Sequence, residues 1–81
     1  MIERNDYFNL KREIKNMSYN NVLKLCENMM LNTEEKKLLV YFYDGKTKVQ
    51  TCMDFHIGST TYTTRMKQLF TKIYNYKNTL D

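Results

Sequence analysis

The chain has no proline and only two glycines, Gly45 and Gly58. Both glycines fall between periodic apolar segments, where turns are needed, and no repeat or low-complexity linker is evident. Cysteine is scarce: Cys26 and Cys52 cannot build a disulfide framework, so both are expected as reduced thiols buried like small hydrophobes. With a single histidine, His56, the chain has no structural-zinc spacing, and Cys52 with His56 one turn on offers at most a two-ligand clip. No metal and no cofactor are therefore expected. Serine-histidine-aspartate, cysteine-histidine and HExxH arrangements are lacking, as is a glycine-rich phosphate loop, so an enzyme is not expected. No apolar run approaches the roughly 20 residues that span a bilayer. No basic stretch followed by an apolar segment opens the chain, and a cytoplasmic protein with no membrane partner is the expectation.

What is present fits a folded domain. The 81 residues are 42% hydrophobic and 27% charged, enough for one core and one domain over 1–81, too little for a deep catalytic cleft with its scaffold. The net charge of +4 is uneven. Residues 1–43 carry seven basic and six acidic side chains, residues 44–81 six basic and three acidic. The excess lies in the second half, and a pI near 9.1 suits a polyanion partner.

Apolar periodicity and capping residues predict an all-α fold of about five helices. Tyr7, Leu10, Ile14 and Met17 share one face of a helix from about Asp6 to Asn16, with Phe8 widening the stripe. Ser18 caps a second helix, about Tyr19 to Met30, whose face carries Tyr19, Val22, Leu23, Cys26, Met29 and Met30. These two helices form an N-terminal layer over 1–30. Asn32 or Thr33 opens a third helix with Glu34 and Glu35 in its first turn. The run Leu38–Tyr43 reads as a strand in isolation, but the Glu-Glu-Lys-Lys segment before it tips it to a helix. Thr47 with Gln50 makes a capping box for a short helix, about Lys48 to Phe55. After a turn through His56, Ile57 and Gly58, Ser59 caps the last helix, about Thr60 to Tyr76, with Tyr62, Met66, Leu69, Phe70 and Ile73 inward.

A short helix, a tight turn and a longer helix with a polar outer face make a helix-turn-helix within residues 31–78. Cys52 is the small residue expected where the two helices meet, Ile57 the plug of the turn, and Phe55 the anchor before it. Thr60, Thr63, Thr64 and Lys67 are the expected base contacts, since threonine hydroxyls donate or accept and threonine methyls touch thymine methyls. Lys46, Lys48, Ser59, Thr61, Arg65, Gln68 and Lys72 are the expected phosphate contacts, placed before the first helix of the pair and along the second.

The stretch Leu31–Asn32–Thr33–Glu34–Glu35–Lys36–Lys37–Leu38–Leu39 resembles the opening of region four of the bacterial sigma factors. Tyr43–Asp44–Gly45–Lys46–Thr47 is similar to that family's aromatic-acidic-Gly-x-Ser/Thr link, and Arg65–Ile73 to the close of its recognition helix. The resemblance covers roughly residues 31 to 74. It implies a sequence-specific transcriptional regulator that binds double-stranded DNA in the major groove, with RNA polymerase as a second partner. Similar modules occur in small regulators of phages and mobile elements. A low-GC source of that kind fits the abundance of Lys, Asn, Thr and Tyr. The chain departs from the family at His56, where glycine is usual; at Thr51, where an apolar residue is usual; and at Gly58, where the serine cap is usual. Its recognition helix is rich in threonine where sigma factors favour Arg and Glu.

A helical protein-interaction module, an adaptor or inhibitor binding RNA polymerase or another host protein, is the alternative function. In that case the threonines are a solvated face and the lysines ordinary solubilising charges. A homodimer is also expected, because the two N-terminal helices carry more apolar surface than the reader can cover. Leu25 and Phe8, off the main stripes, are the candidates for its interface.

Overall fold

A computed structural model describes residues 3–79, so the first two and last two residues of the expected span 1–81 lie outside the described residues. The described residues form α1 (Arg4–Lys15), α2 (Tyr19–Asn28), α3 (Thr33–Tyr43), α4 (Lys48–Phe55) and α5 (Ser59–Thr79), with no strand among them. The chain is all-α, and Leu38–Tyr43 lies in α3.

Short-range side-chain bonds fix where three helices begin. The Ser18 hydroxyl accepts the Asn21 N–H at 3.2 Å at the head of α2. At α3 the Asn32 side chain accepts the Glu35 N–H at 2.8 Å and the Glu35 carboxylate accepts the Asn32 N–H at 3.1 Å. Thr47 and Gln50 make the same reciprocal pair for α4, both bonds at 3.1 Å. Each box satisfies two N–H groups that the helix itself leaves without partners.

The ends of α2, α3 and α4 share one device. A residue turns into the left-handed region: Met30 at φ 55°, Gly45 at φ 80° and His56 at φ 54°. The next N–H then reaches back five residues, Leu31 to the Cys26 carbonyl, Lys46 to Tyr41, and Ile57 to Cys52, at 3.0–3.1 Å. These bonds satisfy carbonyls of the last turn. The device also ends α2 at Asn28, short of the expected Met30.

The core is drawn from four helices: Leu10 and Ile14, Val22 and Cys26, Leu38 and Leu39, and Met66, Leu69, Phe70 and Ile73. Phe70 is fully enclosed, with the rings of Tyr7 and Phe42 edge-on to it at 5.2 Å each. The α1–α2 corner is tied to the end of α3. Tyr43 donates its hydroxyl to the Met17 carbonyl at 2.6 Å, and the Lys15 ammonium donates to the Phe42 carbonyl. The far half of α5 is clasped by α1 through Tyr74 donating to Asp6 at 3.2 Å and the Lys77–Glu13 ion pair.

Two expectations change. The first intrahelical bond of α5 runs from the Tyr62 N–H to the Gly58 carbonyl at 3.0 Å. Gly58 therefore occupies the cap position, and Ser59 is the first residue of the helix rather than its cap. In the N-terminal layer, Leu25 packs partly buried against the core, so of the two residues proposed for a homodimer face only Phe8 stands on the surface, 49% exposed.

Candidate nucleic-acid interface

The helix α4 meets α5 after the three-residue turn His56–Gly58. Its fully buried residue is Thr51, 2% exposed. The Thr51 hydroxyl turns back to donate to the Thr47 carbonyl at 2.9 Å, so no polar group is stranded when the side chain is buried. Cys52, the residue expected at this contact, is only half-buried, its thiol 3.9 Å from the Gly58 carbonyl. The buried contact of α4 is thus made by Thr51, at the position where the resembling family has an apolar residue, rather than by Cys52. The turn is anchored by Phe55, whose ring packs on the core and stands edge-on to Tyr41 at 5.3 Å, while Tyr41 donates to Asp54 at 3.0 Å. Ile57, the expected plug, is half-exposed and is not among the residues packed against the core.

The helix α5 has two faces. Met66, Leu69, Phe70 and Ile73 point into the core, and no Asp or Glu occurs anywhere from Ser59 to Thr79. On the opposite side Thr60, Thr64 and Lys67 are exposed, as are Ser59, Thr61 and Gln68 beside them. Thr63, the fourth expected base contact, is half-buried at the edge of this face and donates its hydroxyl to the Ser59 carbonyl at 3.1 Å.

The expected phosphate-contacting cations are not all alike. Lys48 is exposed, with its ammonium 5.8 Å from the centre of the Tyr62 ring, which places it by the first turn of α5. Lys46 sits on the Gly45 turn at the far end of α3, where the Lys15 ammonium also lies. Arg65 and Lys72 are engaged by the first turn of α3. Arg65 pairs with Glu34, and Lys72 lies 3.2 Å from Glu35. Glu35 thus holds a capping box and an ion pair at once. No sequence signal reveals these pairs, because 31 and 37 residues separate the partners.

Sequence reasoning also missed two cations on α1. Arg4 and Lys11 line an open groove of about 990 Å³ between α1 and α5, together with Tyr7, Phe8, Tyr62 and Lys67. The signal was present in the spacing Arg4, Phe8, Lys11, Lys15, which puts these side chains along one stripe of a helix. Burial pushes the Lys11 ammonium below its ordinary pKa. It pushes the phenols of Tyr7 and Tyr62 above theirs, with the negative charge of a neighbouring ionised group adding to each.

No protein-family model matches the chain, and no curated protein or solved structure is significantly similar to it.

Proposed function

We propose that the protein is a sequence-specific transcriptional regulator of the cytoplasm that binds double-stranded DNA, using α4 and α5 as a helix-turn-helix. The observation that carries this reading is the outer face of α5. It presents short hydroxyl side chains and Lys67 on a helix of 21 residues without a single carboxylate. Such a face can enter a major groove without repelling the phosphates on either side. The resemblance of residues 31–74 to sigma region four supports the same orientation, with α5 as the reading helix and RNA polymerase as a further partner.

Thr60, Thr64 and Lys67 read bases, with Thr63 at the margin. Lys46, Lys48, Ser59, Thr61 and Gln68 lie around them and contact phosphate. Arg65 and Lys72 reach phosphate by exchanging the carboxylates of Glu34 and Glu35 for the anionic phosphate oxygens of the DNA backbone. Both pairs are partly exposed, and such pairs are weak enough to exchange.

Selection of bound duplexes from a random oligonucleotide pool tests the reading. A convergent motif is expected, and Thr64→Ala should alter the selected bases while Lys48→Ala weakens binding to all sequences alike. Recovery of no duplex at low salt would leave the protein-interaction module as the function.

A further inference from the structure

The groove between α1 and α5 has a floor and an α1 wall that DNA reading does not use. Its floor is apolar: Tyr7 and Tyr62 half-buried, Met66 buried, and Phe8 exposed by about half. Its rim is cationic, with Arg4 and Lys11 on α1 and Lys67 and Lys72 on α5. Among the described residues no Asp or Glu lines it.

We propose that this groove docks an acidic, amphipathic helix of a partner protein. The shape fits an elongated guest. On α5 the lining runs from Tyr62 to Asn75, about 20 Å at the rise of an α-helix, which matches three to four turns of a docked helix. Such a guest places apolar side chains at i, i+3 or i+4, and i+7 along one face, and these meet the floor. Its Asp and Glu residues on the flanks meet Arg4, Lys11 and Lys67 directly, and Lys72 by exchange of its Glu35 partner.

The charge pattern decides among guests. A second copy of the chain would bring the same cationic rim to a symmetric contact, and like charges repel. Duplex DNA carries phosphates but no apolar ridge to reach a floor sunk between two helices. Single-stranded nucleic acid would stack bases on exposed rings. Here the ring faces are already taken by cations, Arg4 over Phe8 at 5.6 Å and Lys11 over Tyr7 at 4.8 Å. A carboxylate-bearing helix leaves those contacts in place and adds ion pairs to the same cations. Docking does not depend on DNA reading, although Thr63, Lys67, Gln68 and Lys72 border both surfaces.

The test is a selection of random 16-residue peptides displayed on phage against the full chain. Enriched peptides are then measured by fluorescence polarisation against wild type, Phe8→Ala and Arg4→Glu, both at exposed positions where the helical circular dichroism is expected to persist. The expected result is enrichment of peptides with apolar residues at helical spacing and flanking Asp or Glu, bound at least tenfold more weakly by both variants. Absence of enrichment, enriched peptides without acidic residues, or binding unchanged in the variants overturns the proposal. A labelled oligothymidine bound by wild type and lost in Phe8→Ala would assign the groove to single-stranded nucleic acid instead. A doubling of mass in sedimentation, abolished by Phe8→Ala, would assign it to a second copy. Duplex binding, measured separately, is expected unchanged in Phe8→Ala, so either reading can fail without the other.

Discussion

Met30 and His56 hold a left-handed backbone without being glycine, at φ 55° and 54°. Such residues lie about 1–2 kcal/mol above a relaxed conformation because Cβ crowds the neighbouring carbonyl. Met30 is 86% exposed and gives up almost no packing when replaced. Met30→Gly is therefore expected to stabilise the fold by about 0.5–1 kcal/mol after the greater chain entropy of glycine is set against the relief, read as a raised midpoint of urea unfolding. An unchanged or lowered midpoint would show that Met30 is not strained. The left-handed turn at His56 was legible in the sequence, since it falls between two helices where the resembling family uses glycine. Met30 was not, because an exposed methionine at the edge of a periodic stripe reads as more helix. Thr51 was placed by the family resemblance at a position where an apolar residue is usual; the bond to the Thr47 carbonyl that satisfies it there is invisible until the helix exists. That carbonyl also receives the Thr51 N–H at 3.0 Å, so removing the hydroxyl strands nothing. Thr51→Val should thus be neutral or stabilising by up to about 1 kcal/mol, whereas Thr51→Leu should overpack the site and cost about 1–3 kcal/mol. The same unfolding series distinguishes them.

Helix starts were the most legible elements, because capping is local: Ser18, Asn32 with Glu35, and Thr47 with Gln50 each act over three residues. The beginning of α5 was misplaced by one residue because Ser59 outranks Gly58 as a cap on composition, while the carbonyl that receives the first helical bond belongs to Gly58. The electrostatic coupling of α3 to α5 was not legible at all. In α3, Glu34 and Glu35 favour the positive end of their own helix and simultaneously hold Arg65 and Lys72 of α5. In the DNA-binding reading these carboxylates oppose phosphate contact. Glu34→Gln is expected to tighten duplex binding about two- to fivefold, in line with the worth of an exposed ion pair, measured by anisotropy of a labelled duplex. Weaker binding in this variant would mean that the Glu34–Arg65 pair orients Arg65 for DNA rather than restraining it.

At the scale of the whole molecule, the groups among the described residues whose titration the fold perturbs are mostly acids held protonated. Cys26 is raised chiefly by burial, Tyr7 and Tyr62 likewise, and Tyr41 by its hydrogen bond to Asp54. Above about pH 9 the unfolded chain sheds these protons first, so the folded state binds more of them and stability falls as pH rises. Lys11, lowered by burial, acts in the opposite direction but is one group against four. The midpoint of thermal unfolding is expected to decline steadily from about pH 8.5 to 10.5, and a flat profile would contradict that proton linkage. The charge excess of the second half, the lack of carboxylates from Ser59 to Thr79 and the polar outer face of the last helix were readable from the sequence; the pairing of Arg65 and Lys72 with α3 emerges only from the fold. Whether that face reads DNA is tested most directly by the salt dependence of duplex binding. With two to four of Lys46, Lys48, Arg65 and Lys72 displacing counterions, the slope of log affinity against log salt should lie between about −2 and −4. The steeper value is expected if Arg65 and Lys72 leave their carboxylates for phosphate. Binding insensitive to salt, or no duplex binding at low ionic strength, would contradict the account.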